Sequence, residues 1–113
     1  MACGGGQVCA RNGQCYAPAV VHAVSVSWTV GGAPADTTVC NPAWHLEITF
    51  RGPDTTPFSD LSFAPVPCEE GRFTIDKLPL SYTTVTLGDA RSGWRTARID
   101  PATGAATIDL PHG

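Results

Sequence analysis

Beyond Val20 the chain alternates residue by residue between apolar and polar side chains, and this pattern restricts its fold more than any other feature. Val24, Val26, Trp28 and Val30 share one face, and Ala23, Ser25, Ser27 and Thr29 share the other. A period of two with one apolar and one polar face describes a strand lying between a core and water. The pattern returns after Gly31-Gly32 and a loop containing Pro34 and Asp36. There Trp44, Leu46, Ile48 and Phe50 point one way, and His45, Glu47, Thr49 and Arg51 the other. By the same parity, Trp28 and Trp44 are core residues.

Turn residues divide the rest of the chain into similar pieces. Arg51-Gly52-Pro53-Asp54 ends the second strand, and a short strand runs through Leu61, Ser62 and Phe63 ahead of Pro65 and Pro67. Glu69-Glu70-Gly71 leads into Phe73, Ile75 and Leu78, with Arg72, Thr74 and Asp76 opposite, and Pro79 stops this strand. A further strand is expected from Tyr82 to Leu87, with a bulge because Tyr82 and Val85 are three positions apart. Trp94 to Ile99 and Ala105 to Leu110 are expected to form a hairpin across Asp100-Pro101-Ala102-Thr103-Gly104. Twelve Gly and ten Pro in 113 residues suit short strands better than long helices. About seven strands at roughly ten-residue spacing predict an all-β, antiparallel, seven-stranded sandwich. The sandwich is expected over residues 19–113, preceded by a Cys/Gly-rich arm over 1–18 whose low aliphatic content cannot make a core of its own.

Five cysteines in so short a chain point to disulfides and to an extracytoplasmic, oxidising setting. Cys40 and Cys68 each precede an inward-facing strand, and a bridge between them would pin the long middle of the chain. In the arm, Cys9 and Cys15 flank Arg-Asn-Gly-Gln, whose Asn12-Gly13 suits a tight hairpin turn, so a Cys9–Cys15 bridge is expected. Cys3 is then left over and becomes a candidate for lipidation. The alternatives are a Cys3–Cys9 or Cys3–Cys15 bridge, or an intermolecular one. Structural zinc is disfavoured because there is no Cys-x-x-Cys pair and His22, His45 and His112 are not spaced as ligand pairs. No apolar run reaches the ~20 residues of a membrane-spanning helix.

The segment Pro67-Cys68-Glu69-Glu70-Gly71-Arg72-Phe73-Thr74-Ile75-Asp76-Lys77-Leu78-Pro79, followed by Ser81-Tyr82-Thr83, resembles the carboxypeptidase-regulatory-like, or transthyretin-like, seven-stranded modules. The placement of Cys3 after a small residue, with Cys40 and Cys68 further on, is similar to small bacterial lipoproteins. The resemblance implies a module without catalytic residues, held at a membrane only by a lipid anchor.

Chemistry-bearing constellations are sparse. A nucleophilic cysteine, Cys40 or Cys68, with His45 as base has no third group to orient it. The acidic residues are scattered and make no calcium-loop run, and the loops are too brief for a glycosidase cleft. With a net charge of -3 and Lys77 as the single lysine, the chain has no basic patch for nucleic acid. Trp94 stands apart from the other tryptophans. Gly93 and the flanking Arg91 and Arg95 suit a strand end near the surface, which makes these three side chains the candidate ligand-binding group. The reading is a non-catalytic, cofactor-free structural or presentation module. A carbohydrate-type binding module using an exposed aromatic is the first alternative, and a self-associating fibre or array subunit the second. A protein or carbohydrate partner is expected.

Overall fold

A computed structural model of the chain describes residues 3–11, 13–40, 44–52, 60–90 and 93–111. Among these residues all the regular structure is strand or short 3-10 turn. The strands are β1 (Val8–Cys9), β2 (Cys15–Tyr16), β3 (Val21–Val30), β4 (Ala33–Pro34), β5 (Glu47–Arg51), β6 (Leu61–Phe63), β7 (Arg72–Pro79), β8 (Thr84–Asp89), β9 (Gly93–Arg98) and β10 (Ala105–Leu110). Two sheets pack face to face, as in a β-sandwich. In the first, β3 lies between β10 on one side and β7 and β4 on the other; the second has the order β6-β5-β8-β9.

The core follows from the alternation. Val24, Val26, Trp28 and Val30 of β3, Ile75 of β7, and Ala106, Ile108 and Leu110 of β10 face Ile48 and Phe50 of β5 and Val85 and Leu87 of β8, all of them buried. Trp44 is buried as well, and Trp28 donates its indole N–H to the Cys68 carbonyl at 2.9 Å. Phe50, Phe63 and Phe73 pack with ring centroids 5.3 to 6.3 Å apart and join β5, β6 and β7 at one edge.

Local chemistry explains several of the element ends. Gly31 and Gly32 both have positive φ and link Val30 to its partner Ala33 in a two-residue hairpin, a conformation that side-chain-bearing residues resist. The Asp109 carboxylate accepts the Thr29 hydroxyl at 2.6 Å and the Gly32 N–H at 2.8 Å, tying β10 to that turn. These bonds, the Thr29 one foremost, hold the Asp109 carboxyl below its ordinary pKa. Asp36 accepts the N–H groups of Thr38 and Val39, forming a turn that delivers Cys40 to the core. Opposite it, the 3-10 turn Cys68–Glu70 ends at Gly71 in the left-handed region. Cys40 and Cys68 are joined there, with 5.9 Å between Cα atoms.

Three sequence expectations are corrected. The first is the terminal hairpin. β9 pairs antiparallel with β8, whereas β10 crosses to the other sheet and pairs parallel with β3. The crossing is tight: Gly104 donates to Asp100 O at 2.7 Å, Ser25 donates to Gly104 O at 2.8 Å, and a Cβ on Gly104 would lie 2.2 Å from the Ala23 carbonyl oxygen. Asp100 to Gly104 do form a turn, but a turn of this kind also serves a change of sheet. The second correction is the bulge, which lies in β7. Val24 pairs with Ile75 and His22 with Leu78, so Asp76 and Lys77 together oppose Ala23, and Lys77 takes φ 54°. This register brings both Ile75 and Leu78 inward. Tyr82 precedes β8 in a turn and is buried there.

The third correction concerns the arm. Its bridge joins Cys3 to Cys15, with 5.8 Å between Cα atoms, and leaves Cys9 as an exposed thiol. Cys3, with its sulfur in a disulfide, has none to offer a lipid. The arm is also not a loose appendage. β1 and β2 pair as a hairpin, Ala10 is buried, and the Arg11 N–H donates to the Lys77 carbonyl on the bulge. The Arg11 guanidinium closes on the Asp76 carboxylate, with Nε to Oδ1 at 2.8 Å. Asn12 lies outside the described residues.

The Arg11 hydrogen bond, reinforced by its charge, holds the Asp76 carboxyl below its ordinary value of 3.8. Because the folded pKa is the lower one, the contribution to folding is present above the unfolded value and is lost as pH falls through the folded one. Both side chains are open to water, so the energy involved is small. A carboxyl titration followed by NMR is expected to give Asp76 a midpoint below 3.8, rising towards it in Arg11→Ala. A wild-type midpoint unaffected by that substitution would show that the hairpin is undocked in solution.

Candidate functional site

The outward face of the β6-β5-β8-β9 sheet is built by pairing register. Across it, Glu47 of β5, Gly88 of β8 and Trp94 of β9 form one row. The next row is Ser62, Thr49, Thr86 and Thr96, and the one after it Arg51, Thr84 and Arg98. Strand alternation places all of these on one side of the sheet and Ile48, Phe50, Val85 and Leu87 on the other.

Trp94 is the most exposed large hydrophobic residue described, at 51%, against 3% for Trp28 and 9% for Trp44. Its cross-strand neighbour explains how it can stand open. Gly88 brings no side chain to the row, so Trp94 and Glu47 flank a bare position, about 9 to 10 Å apart as two strand spacings require. A Cβ on Gly88 would fall 2.0 Å from the Gly93 carbonyl oxygen, and its φ is 151°. Glycine is demanded there by the close approach of β9, and the gap beside Trp94 follows from the same requirement.

The hydroxyl row is ordered. Thr49 and Ser62 share a hydrogen bond at 2.9 Å, and Thr86 and Thr96 share one at 3.0 Å. Each hydroxyl has both a donor and acceptor capacity, so a shared proton leaves the pair able to bond outward. Arg51 lies 3.6 Å from the Asp60 carboxylate and is mostly exposed. Glu47, Thr49, Arg51, Thr86, Trp94 and Thr96 line a shallow depression of about 450 Å³. The depression therefore gathers an open aromatic ring, hydroxyls, a carboxylate and a guanidinium on one outward face.

Of the residues singled out from the sequence, Trp94 is on this face. Arg95 is not. It pairs with Leu87, has the opposite parity, and acts on Asp109 of β10 instead. Arg91 lies outside the described residues. Among the described residues, the arginines on the Trp94 face are Arg51 and Arg98, which the sequence alone does not group with it. The parity of Trp94, Thr96 and Arg98 was available along the chain; the adjacency of Arg51 was not, because it passes through β8.

Two other depressions are lined differently. One of about 340 Å³ beside the Cys40–Cys68 bridge is lined by Thr37, Trp44, Pro65, Val66, Pro67 and Glu69. Another of about 340 Å³ holds His22, Tyr82 and Arg98, and His22 Nε2 is buried there without a hydrogen-bond partner. Neither contains an exposed aromatic ring of the size of Trp94. Among the described residues, no group of three or more His, Cys, Asp or Glu is placed to hold a metal ion. Among the described residues, no helix is long and apolar enough to cross a membrane.

The fold is an all-β domain with mainly antiparallel sheets and an N-terminal disulfide. No protein-family model, curated protein or solved structure matches the chain.

Proposed function

We propose that this protein is a non-catalytic, extracytoplasmic binding module that recognises a carbohydrate-type ligand on the outward face of the β6-β5-β8-β9 sheet. The observation that carries the reading is Trp94, half exposed beside the bare Gly88 and next to an ordered row of hydroxyls. An aromatic ring of this size left in water has an energetic cost, and a ligand that covers it recovers that cost. Two disulfides in 113 residues support the oxidising setting. The finer fold assignment, to the carboxypeptidase-regulatory-like or transthyretin-like modules, belongs to the same proposal. Its support is that the Gly71-to-Pro79 motif forms the whole of β7 and packs on β3.

The test is a glycan array, followed by titration of each bound glycan against wild type and Trp94→Ala. Binding is expected, with affinity falling about 10- to 100-fold in the variant, as for a central aromatic contact. The melting temperature should barely move, because the ring is not part of the core. An array without binding, or a glycan held equally by the variant, would overturn the proposal.

A further inference from the structure

The N-terminal hairpin holds three of the five cysteines, and two of them compete for the third. Cys15 is bridged to Cys3, while Cys9, exposed and unbridged, lies directly opposite Cys15 in the β1–β2 ladder. The Ala10 N–H bonds the Gln14 carbonyl at 2.9 Å, so Cys9 and Cys15 are the adjacent, non-hydrogen-bonded pair. In such pairs the Cα atoms are about 4.5 Å apart and the side chains, on one face, are at their closest. That separation lies within the range of about 4.4 to 6.8 Å that a disulfide accepts. The existing bridge, at 5.8 Å, lies within it too. Cys15 therefore has two partners that both satisfy the distance requirement.

The surroundings permit a change of partner. Gly4, Gly5 and Gly6, inside the loop that Cys3–Cys15 closes, have no atom within 4 Å of where a Cβ would sit, so releasing this loop breaks little packing. The hairpin stays docked through the buried Ala10 side chain and through Arg11, and the exchange gives up only the weak Cys9 thiol contact with the Ala10 carbonyl at 3.9 Å. Loop-closure entropy depends only logarithmically on loop length, so the shorter Cys9–Cys15 loop and the longer Cys3–Cys15 loop differ little on that account.

We propose that the hairpin is a thiol–disulfide exchange site, in which the Cys9 thiolate displaces Cys3 from Cys15. Cys9 gives its proton to solvent and its sulfur attacks Cys15 Sγ. The Cys9–Cys15 bond forms as the Cys3–Cys15 bond breaks, and Cys3 leaves as a thiolate that takes up a proton. Nothing is oxidised or reduced overall. The exchange moves the reactive thiol from the docked hairpin to the glycine-rich segment before it. There it is accessible to a partner's disulfide, with which it would form a mixed disulfide and release the partner's thiolate.

The experiment incubates the oxidised wild-type protein without oxygen at mildly alkaline pH, where thiols ionise, then quenches with acid, alkylates, and maps the label by mass spectrometry. Label is expected on both Cys3 and Cys9, with the Cys3 fraction growing at a rate independent of protein concentration. Cys3→Ser, oxidised with glutathione disulfide, is expected to close Cys9–Cys15 without a fall in melting temperature. Label confined to Cys9 after incubation, a rate that rises with protein concentration, or a Cys3→Ser protein that keeps Cys9 and Cys15 unbridged would each overturn the proposal.

Discussion

Trp28→Ala is expected to destabilise the protein by about 3 to 5 kcal/mol, the range for removing a buried aromatic side chain. Trp28 is 3% exposed and sits in the last third of β3, the strand that pairs with β10, β4 and β7. Two effects add. The indole leaves a cavity that strands fixed by three ladders cannot collapse to fill. Its N–H also leaves the Cys68 carbonyl, which loses a bond made at 2.9 Å inside the core. Against a typical total of about 5 to 15 kcal/mol, the variant would be marginal or unfolded at 25 °C. Urea unfolding of wild type and variant measures the difference. A loss below about 1 kcal/mol would mean that the indole does not fill the space between the sheets. Trp94→Ala is the internal control, since it removes the same side chain from the outer face.

The double substitution Cys40→Ala, Cys68→Ala is expected to cost about 3 to 4 kcal/mol, the chain-entropy value for a loop of this length. The bridge spans a sequence separation of 28 and joins the Asp36 turn ahead of β5 to the 3-10 turn ahead of β7. Without it the unfolded chain regains the freedom of that loop, while the folded state loses its tie between the two turns. Alanine keeps both sites apolar, so no buried hydroxyl confuses the comparison. Chemical denaturation should show the loss for this pair and almost none for Cys9→Ser, whose side chain is exposed. The losses at Trp28 and at the bridge will not add, because the indole bonds the Cys68 carbonyl itself. A bridge-free protein as stable as wild type would place the stability of the middle region in packing alone.

How far the candidate site could be read from the chain depends on whether its members are joined by local or distant geometry. Trp94 was legible as the tryptophan outside the core pattern, beside Gly93 and away from an aliphatic run. Arg95 is excluded from the face by local geometry too: it is adjacent to Trp94 in sequence, and adjacency in a strand places side chains on opposite faces. Thr96 and Arg98 satisfy the parity that Arg95 fails. Glu47, Thr49 and Arg51 were visible as the outward set of their own strand. Their meeting with Trp94 depended on β8 lying between β5 and β9, a pairing made by backbone hydrogen bonds that carry no residue-specific signature.

The sequence by itself determined the all-β character of this protein, the inward faces of β3 and β5, and the burial of Trp28 and Trp44. These depend on side-chain alternation, which is a property of each strand alone. The bulge was not legible in the same way: it is expected between Tyr82 and Val85, and it forms in β7, where Asp76 and Lys77 oppose Ala23. Only the tertiary structure decided that β10 leaves β9 for a parallel place beside β3, because the Asp100-to-Gly104 turn is compatible with either partner. It also decided that Cys15 takes Cys3 in place of Cys9. Both choices turn on which partner the folded chain brings within reach, and spacing along the sequence does not measure distance in space.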